Sequence, residues 1–307
     1  MAVLFACYHA KPLTSRLPWF KEEIVVLLKF LSRWPLAALY LLTDGLYLFI
    51  YHIWGFRREL SRSNLRNSFP DKSAGEIERI ARASYRNACS LMAEVVKGAV
   101  MPPEELRRRV RIVNASLLRP YLNAGRPVVL LASHHCNWEW LLLAACLDLK
   151  IPVDAVYKPL RVAVLDRFMQ QTRTRFGGNP IPVGNFMIEV MKRRDTARAF
   201  ALVADQTPPH DEEKYWARFL NQDTAFFVGA DRIARIARTP VFFAGMHRLR
   251  RGYYEANLQL LAEPPYQGEG YPVIERYVEV AEDHIRRYPA DWLWMYRKWK
   301  YKKPLYA

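Results

Sequence analysis

Pro127-Val128-Val129-Leu130-Leu131-Ala132-Ser133-His134-His135-Cys136-Asn137-Trp138-Glu139-Trp140 is the stretch on which the reading of this chain turns. Its aliphatic, partly β-branched start predicts a buried strand over 127–132. Residues 138–149 are apolar on most sides and predict a helix. His134 leaves the strand end, and Glu139 falls in the first helical turn. On one continuous helix a step of five residues is about 500°, which sends two side chains apart. Across a strand-to-helix turn they can converge. A carboxylate there accepts the imidazole Nδ1–H, fixes the tautomer and leaves Nε2 to take a proton. Taken alone, the spacing also fits a polar strand end with a glutamate at the positive end of a helix.

Outward from this stretch, strands and helices alternate. Strands are predicted over 110–113, 151–157, 199–204, 240–246 and 253–261, and helices over 165–175, 186–195, 230–238 and 271–288. Ser73 and Glu76 form a capping box that opens a helix to about residue 97. The alternation predicts an α/β fold with a single mixed central sheet flanked by helices. Residues 210–215 read as a loop, and 219–229 as an apolar wall leading into the next helix. Two units are expected: an N-terminal segment over 1–56 and one domain over 57–307.

The N-terminal segment contains the membrane candidate. Residues 34–54 are rich in Leu, Tyr and Ile, with Asp44 as their only formal charge. About twenty apolar residues span a bilayer core, and a mid-span aspartate costs roughly 2.5–3.5 kcal/mol on the insertion scale. The segment therefore reads as a membrane-associated helix, either spanning or embedded. Arg57, Arg58, Arg62 and Arg66 follow at once and place the remaining chain on the cytoplasmic face of an inner membrane. Lys11 and Arg16 precede the apolar region without a small-residue cleavage site after it.

Composition narrows the partners. The chain of 307 residues carries 46 Lys and Arg against 30 Asp and Glu, a net charge of +16, with 17 Tyr, 15 Phe and 9 Trp. A basic, aromatic-rich chain fits an anionic bilayer or acidic substrates. Nucleic acid ranks last, since neither a zinc-finger spacing nor an RNA-binding signature accompanies the charge. Cys7, Cys89, Cys136 and Cys146 form no CxxC pair and read as reduced thiols. The sequence has no GxSxG elbow, Walker A loop or GxGxxG.

The box His134-His-Cys-Asn-Trp-Glu139 resembles the His-x4-Asp/Glu box of glycerolipid-type acyltransferases. It is closest to the His-x-x-Asn-Trp-Glu form of the bacterial lipid A late acyltransferase family. Further stretches resemble that family in its own order, over nearly the whole chain: Asn64-Leu-Arg-Asn-Ser-Phe-Pro70, Tyr157-Lys-Pro-Leu160 with Arg173-Thr-Arg175-Phe-Gly-Gly178, Asp205-Gln206, and the closing Tyr288-Pro-Ala-Asp-Trp-Leu-Trp-Met-Tyr-Arg297-Lys-Trp-Lys300. The resemblance implies a glycerolipid-acyltransferase-like fold and transfer of a fatty acyl chain from an acyl carrier protein or coenzyme A thioester to a hydroxyl of a lipid A precursor. His134 would be the general base and Glu139 its orienting carboxylate. On the acceptor side the resemblance implies arginine; Arg173 and Arg175 match best, Lys158 and Arg161 less well, and an Arg fork suits phosphate. Asp205 would orient a loop or hold a basic substrate-binding residue, and backbone N–H groups around Asn137 would hold the oxyanion.

Direct transfer from an activated thioester needs no cofactor, no metal and no covalent nucleophile, so Cys136 reads as a packed small residue and His135 as secondary. In the closing stretch, aromatics interleaved with cations suit a lipid headgroup interface; a C-terminal helix packing its tryptophans on the core fits equally. Other readings are an acyltransferase for another lysolipid, a metal-dependent hydrolase using His134, His135, Glu139 and Asp205, and a non-catalytic membrane-binding protein.

Overall fold

The computed structural model describes residues 20–302, so Cys7, Lys11 and Arg16 lie outside the described residues. Two apolar helices come first. Helix α1 spans Phe20–Ser32, and α2 spans Leu36–Leu48 with a π-helical continuation over Phe49–Trp54. Pro35 stands at the N-cap of α2, where its missing N–H costs nothing. Leu36–Trp54 is the one stretch among the described residues long and apolar enough to cross a membrane. Leu36, Leu39, Thr43, Ile50 and Tyr51 are buried against the protein, while Leu41, Leu48, Phe49, Ile53 and Trp54 face outward. Asp44 is not isolated among apolar groups: Arg251 meets it at 2.8 Å and Arg86 at 3.3 Å.

Helix α3 (Arg58–Ser68) and helix α4 (Ala74–Gly98) follow. The capping box forms as expected: Ser73 accepts the Glu76 N–H, and Glu76 reaches back to the Ser73 N–H at 3.0 Å. Ile77, Ala81, Tyr85, Ala88 and Val95 form the buried stripe of α4. The arginines of the 57–66 cluster are engaged within the fold. Arg57 and Arg58 donate to the carbonyls of Met295 and Tyr51, and Arg62 and Arg66 pair with Glu78 and Glu59.

The sheet-forming part begins with α5 (Pro103–Arg109), β1 (Val110–Ile112), the short α6 (Arg119–Asn123), β2 (Val128–Ala132) and α7 (Trp138–Leu149). It continues with β3 (Val153–Tyr157), α8 (Ala163–Arg173), β4 (Gly178–Pro182), α9 (Phe186–Arg193) and β5 (Ala199–Val203). The hairpin β6 (Lys214–Phe219) and β7 (Gln222–Phe227) leads to α10 (Gly229–Ala237), β8 (Val241–Arg250), β9 (Tyr253–Ala262) and α11 (Pro272–Arg287).

One seven-stranded sheet has the order β1-β9-β8-β2-β5-β3-β4. Only the β8–β9 pairing within it is antiparallel. The expected mixed sheet flanked by helices is therefore present. Strand β2 is central and buried on both faces, which is why it reads as a continuous apolar run. Val129 and Leu131 pack with Tyr277 and Ile233 on one side, and Val128 and Leu130 with Trp140 and Leu143 on the other.

Three stretches depart from the sequence reading. Gly178–Pro182 forms β4 although it holds a glycine and two prolines; it pairs with β3 alone at the sheet edge, where proline is tolerated. The predicted loop holds over residues 210–213, but from Lys214 the chain folds as the β6–β7 hairpin, which takes in most of the predicted apolar wall; its turn residues Leu220 and Asn221 both take the left-handed conformation of a tight hairpin turn. The closing stretch is not a helix, but it packs its tryptophans on the core, as the second of the two readings expects. After a 3₁₀ turn over Pro289–Asp291 it runs across the core, burying Trp292, Trp294 and Lys298 almost completely.

Candidate active site

Strand register builds the centre of the site. In the parallel β2–β5 pair, Ala132 lies opposite Val203, and the Ala204 N–H donates to the Ala132 carbonyl at 3.0 Å. Two residues further along each strand, His134 and Asp205 emerge side by side at the carboxyl edge, where open α/β sheets place their ligands. Asp205 Oδ1 lies 2.6 Å from His134 Nδ1. Its Oδ2 accepts the His134 backbone N–H at 2.9 Å and the Trp292 indole N–H at 2.8 Å. Burial pushes the Asp205 carboxyl up, but His134 and the Trp292 and backbone N–H donors outweigh it and hold it below the ordinary aspartate range. An ionised Asp205 assigns the ring proton to Nδ1 and makes Nε2 the acceptor. The Gln206 amide lies 3.2 Å from that Nε2. The Trp138 ring meets the imidazole edge-on with centroids 4.7 Å apart.

Glu139, expected beside His134, turns elsewhere. Its carboxylate receives Arg173 through both Nε at 2.8 Å and Nη2 at 2.5 Å. The reason is local. Cys136 adopts a left-handed conformation (φ 53°), and Asn137 then caps α7 by accepting the Trp140 N–H. Glu139 consequently starts on the face of α7 that packs near the end of α8. The carboxylate that meets His134 is Asp205, for which the sequence suggests a loop or a basic residue as partner.

The other expected substrate-binding residues are mostly occupied by the fold. Asn137 is fully buried; besides its cap it donates to Glu94 at 2.8 Å, so its side chain is not open to substrate. Glu94, itself fully buried, also accepts from Tyr40 on α2 and Tyr254 on β9. Arg173 is taken by Glu139, and Arg175 donates to the carbonyls of Gly98 and Met101 at the end of α4. Lys158 and Arg161 are exposed on the loop after β3. An arginine's type reveals its charge but not which carbonyl or carboxylate will hold it, so the bidentate carboxylate partner was invisible in the sequence.

Cys136 is buried. Desolvation and the neighbouring Asp291 push its thiol well above the usual range, the opposite of an activated nucleophile. His135 is also buried; its ring lies against His284, with centroids 4.6 Å apart, and burial keeps it neutral. Among the described residues His135, Cys136 and Asp291 form the one group with the donor types of a metal site. Asp291 is already bonded by Arg248 at 3.1 Å and Asn87 at 2.8 Å, and a guanidinium at the carboxylate repels a second cation. The four residues of the hydrolase reading do not converge, since His134 faces Asp205, Glu139 faces Arg173 and His135 faces His284.

A cleft opens at His134 between α4 and the C-terminal stretch, lined by Ser84, Asn87, Leu91, Trp138, Arg248 and Leu293. Trp292, which lines it, and Gln206, which meets His134, had no role assigned from the sequence; the Asp-Gln pair and the tryptophan-rich end were the only signals for them.

His134, which opens the His-x-x-Asn-Trp-Glu box, thus meets the carboxylate of Asp205 at the carboxyl edge of a mostly parallel sheet. The chain belongs to the bacterial lipid A biosynthesis acyltransferase family, whose sequence profile matches residues 16–301. Among its curated relatives is the lipid A biosynthesis palmitoleoyltransferase of Escherichia coli K12. It is 23% identical over 250 residues, covering 80% of this chain and 79% of the relative. A lipid A biosynthesis acyltransferase of Shigella flexneri matches to the same extent.

Proposed function

We propose that this chain moves a fatty acyl group from an acyl thioester to a hydroxyl of a lipid A precursor, with His134 as general base and Asp205 as the carboxylate that orients it. The observation that carries the reading is the 2.6 Å contact between Nδ1 of His134, the first residue of the family's box, and a buried, ionised Asp205. His134 Nε2 removes the proton of the acceptor hydroxyl as its oxygen attacks the thioester carbonyl. The tetrahedral oxyanion is held by backbone N–H groups at the start of α7. Collapse breaks the C–S bond, and His134 returns the proton to the departing thiolate. General-base help of this kind contributes about 10²–10⁴-fold. Asp205 stabilises the transient imidazolium. Gln206 occupies Nε2 until the acceptor hydroxyl displaces it. Glu139 and Arg173 act together: the carboxylate fixes the guanidinium on the acceptor side, where its charge favours an acceptor phosphate.

Membrane association supports a lipid acceptor. Helix α4 packs against α2 through Tyr40–Glu94 and Tyr51–Glu78, and the same helix walls the cleft with Ser84 and Leu91. An acceptor lipid resting beside the outward apolar side of α2 would reach His134 along α4. We place the protein on the cytoplasmic face of the inner membrane, and its +16 charge favours a donor carried on an acidic acyl carrier protein over coenzyme A.

The test is acyl transfer by the purified full-length protein, read by mass spectrometry, with a lipid A precursor and a lysophospholipid offered together and with carrier-protein and coenzyme A donors compared at several ionic strengths. The reading expects a precursor one acyl chain heavier, made fastest from the carrier protein at low salt. Acylation of the lysophospholipid alone would reassign the acceptor, and a coenzyme A preference at every salt concentration would reject the carrier-protein donor.

A further inference from the structure

Trp292 lies 87 residues from Asp205 in sequence, yet its indole Nε1–H ends 2.8 Å from Asp205 Oδ2. Both side chains are 3% exposed, so this bond has no water competing for it. The tryptophan is itself held on several sides. Its backbone pairs with His135 in an isolated antiparallel bridge, and its carbonyl accepts Ser84 Oγ at 3.0 Å. Its ring packs edge-on against Trp294, with centroids 4.7 Å apart, and against Phe219 and Trp299. The next residues of the same stretch hold the turn that carries the carboxylate: Thr207 Oγ1 donates to the Lys298 carbonyl at 2.6 Å, and Tyr296 Oη accepts the Thr207 N–H at 3.2 Å.

We propose that Trp292 is a positioning residue for acyl transfer: its indole N–H fixes the Asp205 carboxylate in the one orientation that presents Oδ1 to His134 Nδ1. The inference rests on the reading of His134 and Asp205 as the base and its orienter. Oδ2 has two donors, the His134 backbone N–H and the indole; with both in place the carboxylate cannot turn about its Cβ–Cγ bond without losing one. The indole donor also spreads the negative charge away from Oδ1, which limits how tightly Asp205 holds the imidazolium. Two other titratable groups, Tyr277 and Lys298, feel the charge of the carboxylate but hydrogen-bond elsewhere. Tyr277 donates to the Ala132 carbonyl, and Lys298 to the carbonyls of Gln206 and Ala225.

The experiment is the pH dependence of kcat and KM for full-length Trp292→Phe, beside Trp299→Phe, which removes an indole donor to Thr224 from the same aromatic cluster. For Trp292→Phe we expect kcat to fall about tenfold, the scale of one hydrogen bond to a charged group, with KM unchanged. The acid limb of its kcat profile should move up by roughly half to one pH unit as Asp205 retains the imidazolium more strongly. Trp299→Phe should leave the limb where it is. Should Trp292→Phe not fold, 3-benzothienylalanine at 292 keeps the ring shape and replaces N–H with sulfur, with the same expectation. An unmoved acid limb in the folded variant, or an equal shift in Trp299→Phe, would overturn the proposal. His134→Ala and Asp205→Asn, run alongside, separate the two levels: if both are inactive while Trp292→Phe behaves as wild type, only the role of Trp292 fails, whereas near-wild-type rates in those two would remove the base assignment itself.

Discussion

At the scale of single residues, the site separates groups that face substrate from groups that hold others in place. His134 is 16% exposed at the cleft, while Asp205 behind it is buried. Cys136, one residue from the cap of α7, is a buried thiol with a raised pKa. Cys136→Ser should therefore keep a turnover within about fivefold of wild type, because direct transfer uses no thiol; an acyl group trapped on Cys136 in intact-mass analysis would refute this. The histidine was legible in the sequence, since a polar strand end followed by a helix N-terminus is a local pattern. Its carboxylate partner was not. Asp205 reaches His134 through the pairing of β2 with β5, and nothing local in either strand states which strand will lie beside it. Glu139 was the nearer carboxylate along the chain and the wrong one in space, because the left-handed Cys136 sets the phase at which α7 begins.

At the scale of elements, the Glu139–Arg173 pair joins the start of α7 to the end of α8, with side chains 8% and 16% exposed. Glu139→Ala should cost about 3 kcal/mol in denaturant unfolding, because it takes the bidentate carboxylate away from a largely buried guanidinium. A Glu139→Leu/Arg173→Met double variant should recover much of that loss, and equal stabilities for Glu139→Ala and wild type would contradict the pairing. The C-terminal stretch makes a second prediction. Burial pulls the Lys298 amine down to about 7. Between that value and its ordinary 10.5, the unfolded chain binds the additional proton, so this residue makes stability rise with pH across the window. Melting temperatures from pH 7 to 10 should climb more steeply for wild type than for Lys298→Met; parallel curves would show that Lys298 keeps its charge when folded. Interleaved aromatics and lysines fit a lipid surface and a folded core alike, so the sequence leaves both readings of this stretch open. Burial of Lys298 beneath the Phe226 ring is a tertiary outcome. The β6–β7 hairpin was missed for a related reason: its turn is Leu220-Asn221, without the glycine that usually marks a left-handed pair.

At the scale of the whole molecule, α4 connects the apolar face to the chemistry. It receives α2 on one side and walls the cleft on another, so the apolar helix and the cleft share one rigid element. The 57–66 arginines, which the sequence suggests as a membrane-facing charge cluster, each have a partner inside the fold. That leaves the outward apolar residues as the stronger candidate for a membrane anchor. Replacing Leu41, Leu48 and Ile53 together with Gln should leave the fold intact, since all three are exposed. It should also convert a protein that needs detergent for extraction into one released by high salt, because a charge-only attachment is screened. Retention of the triple variant on salt-washed membranes would contradict an anchoring role for α2.

The central claim is that His134 and Asp205 act as one unit, and a double-mutant cycle on kcat/KM tests it most directly. On the wild-type background Asp205→Asn should lower acyl transfer about a hundredfold or more. On a His134→Ala background it should cost almost nothing further, because groups that act as a unit are not additive. Glu139→Gln, acting through Arg173, should cost the same on both backgrounds. If Asp205→Asn instead carried its full penalty in the absence of His134, while the penalty of Glu139→Gln disappeared there, the carboxylate working with His134 would be Glu139, and Asp205 would have no part in the base.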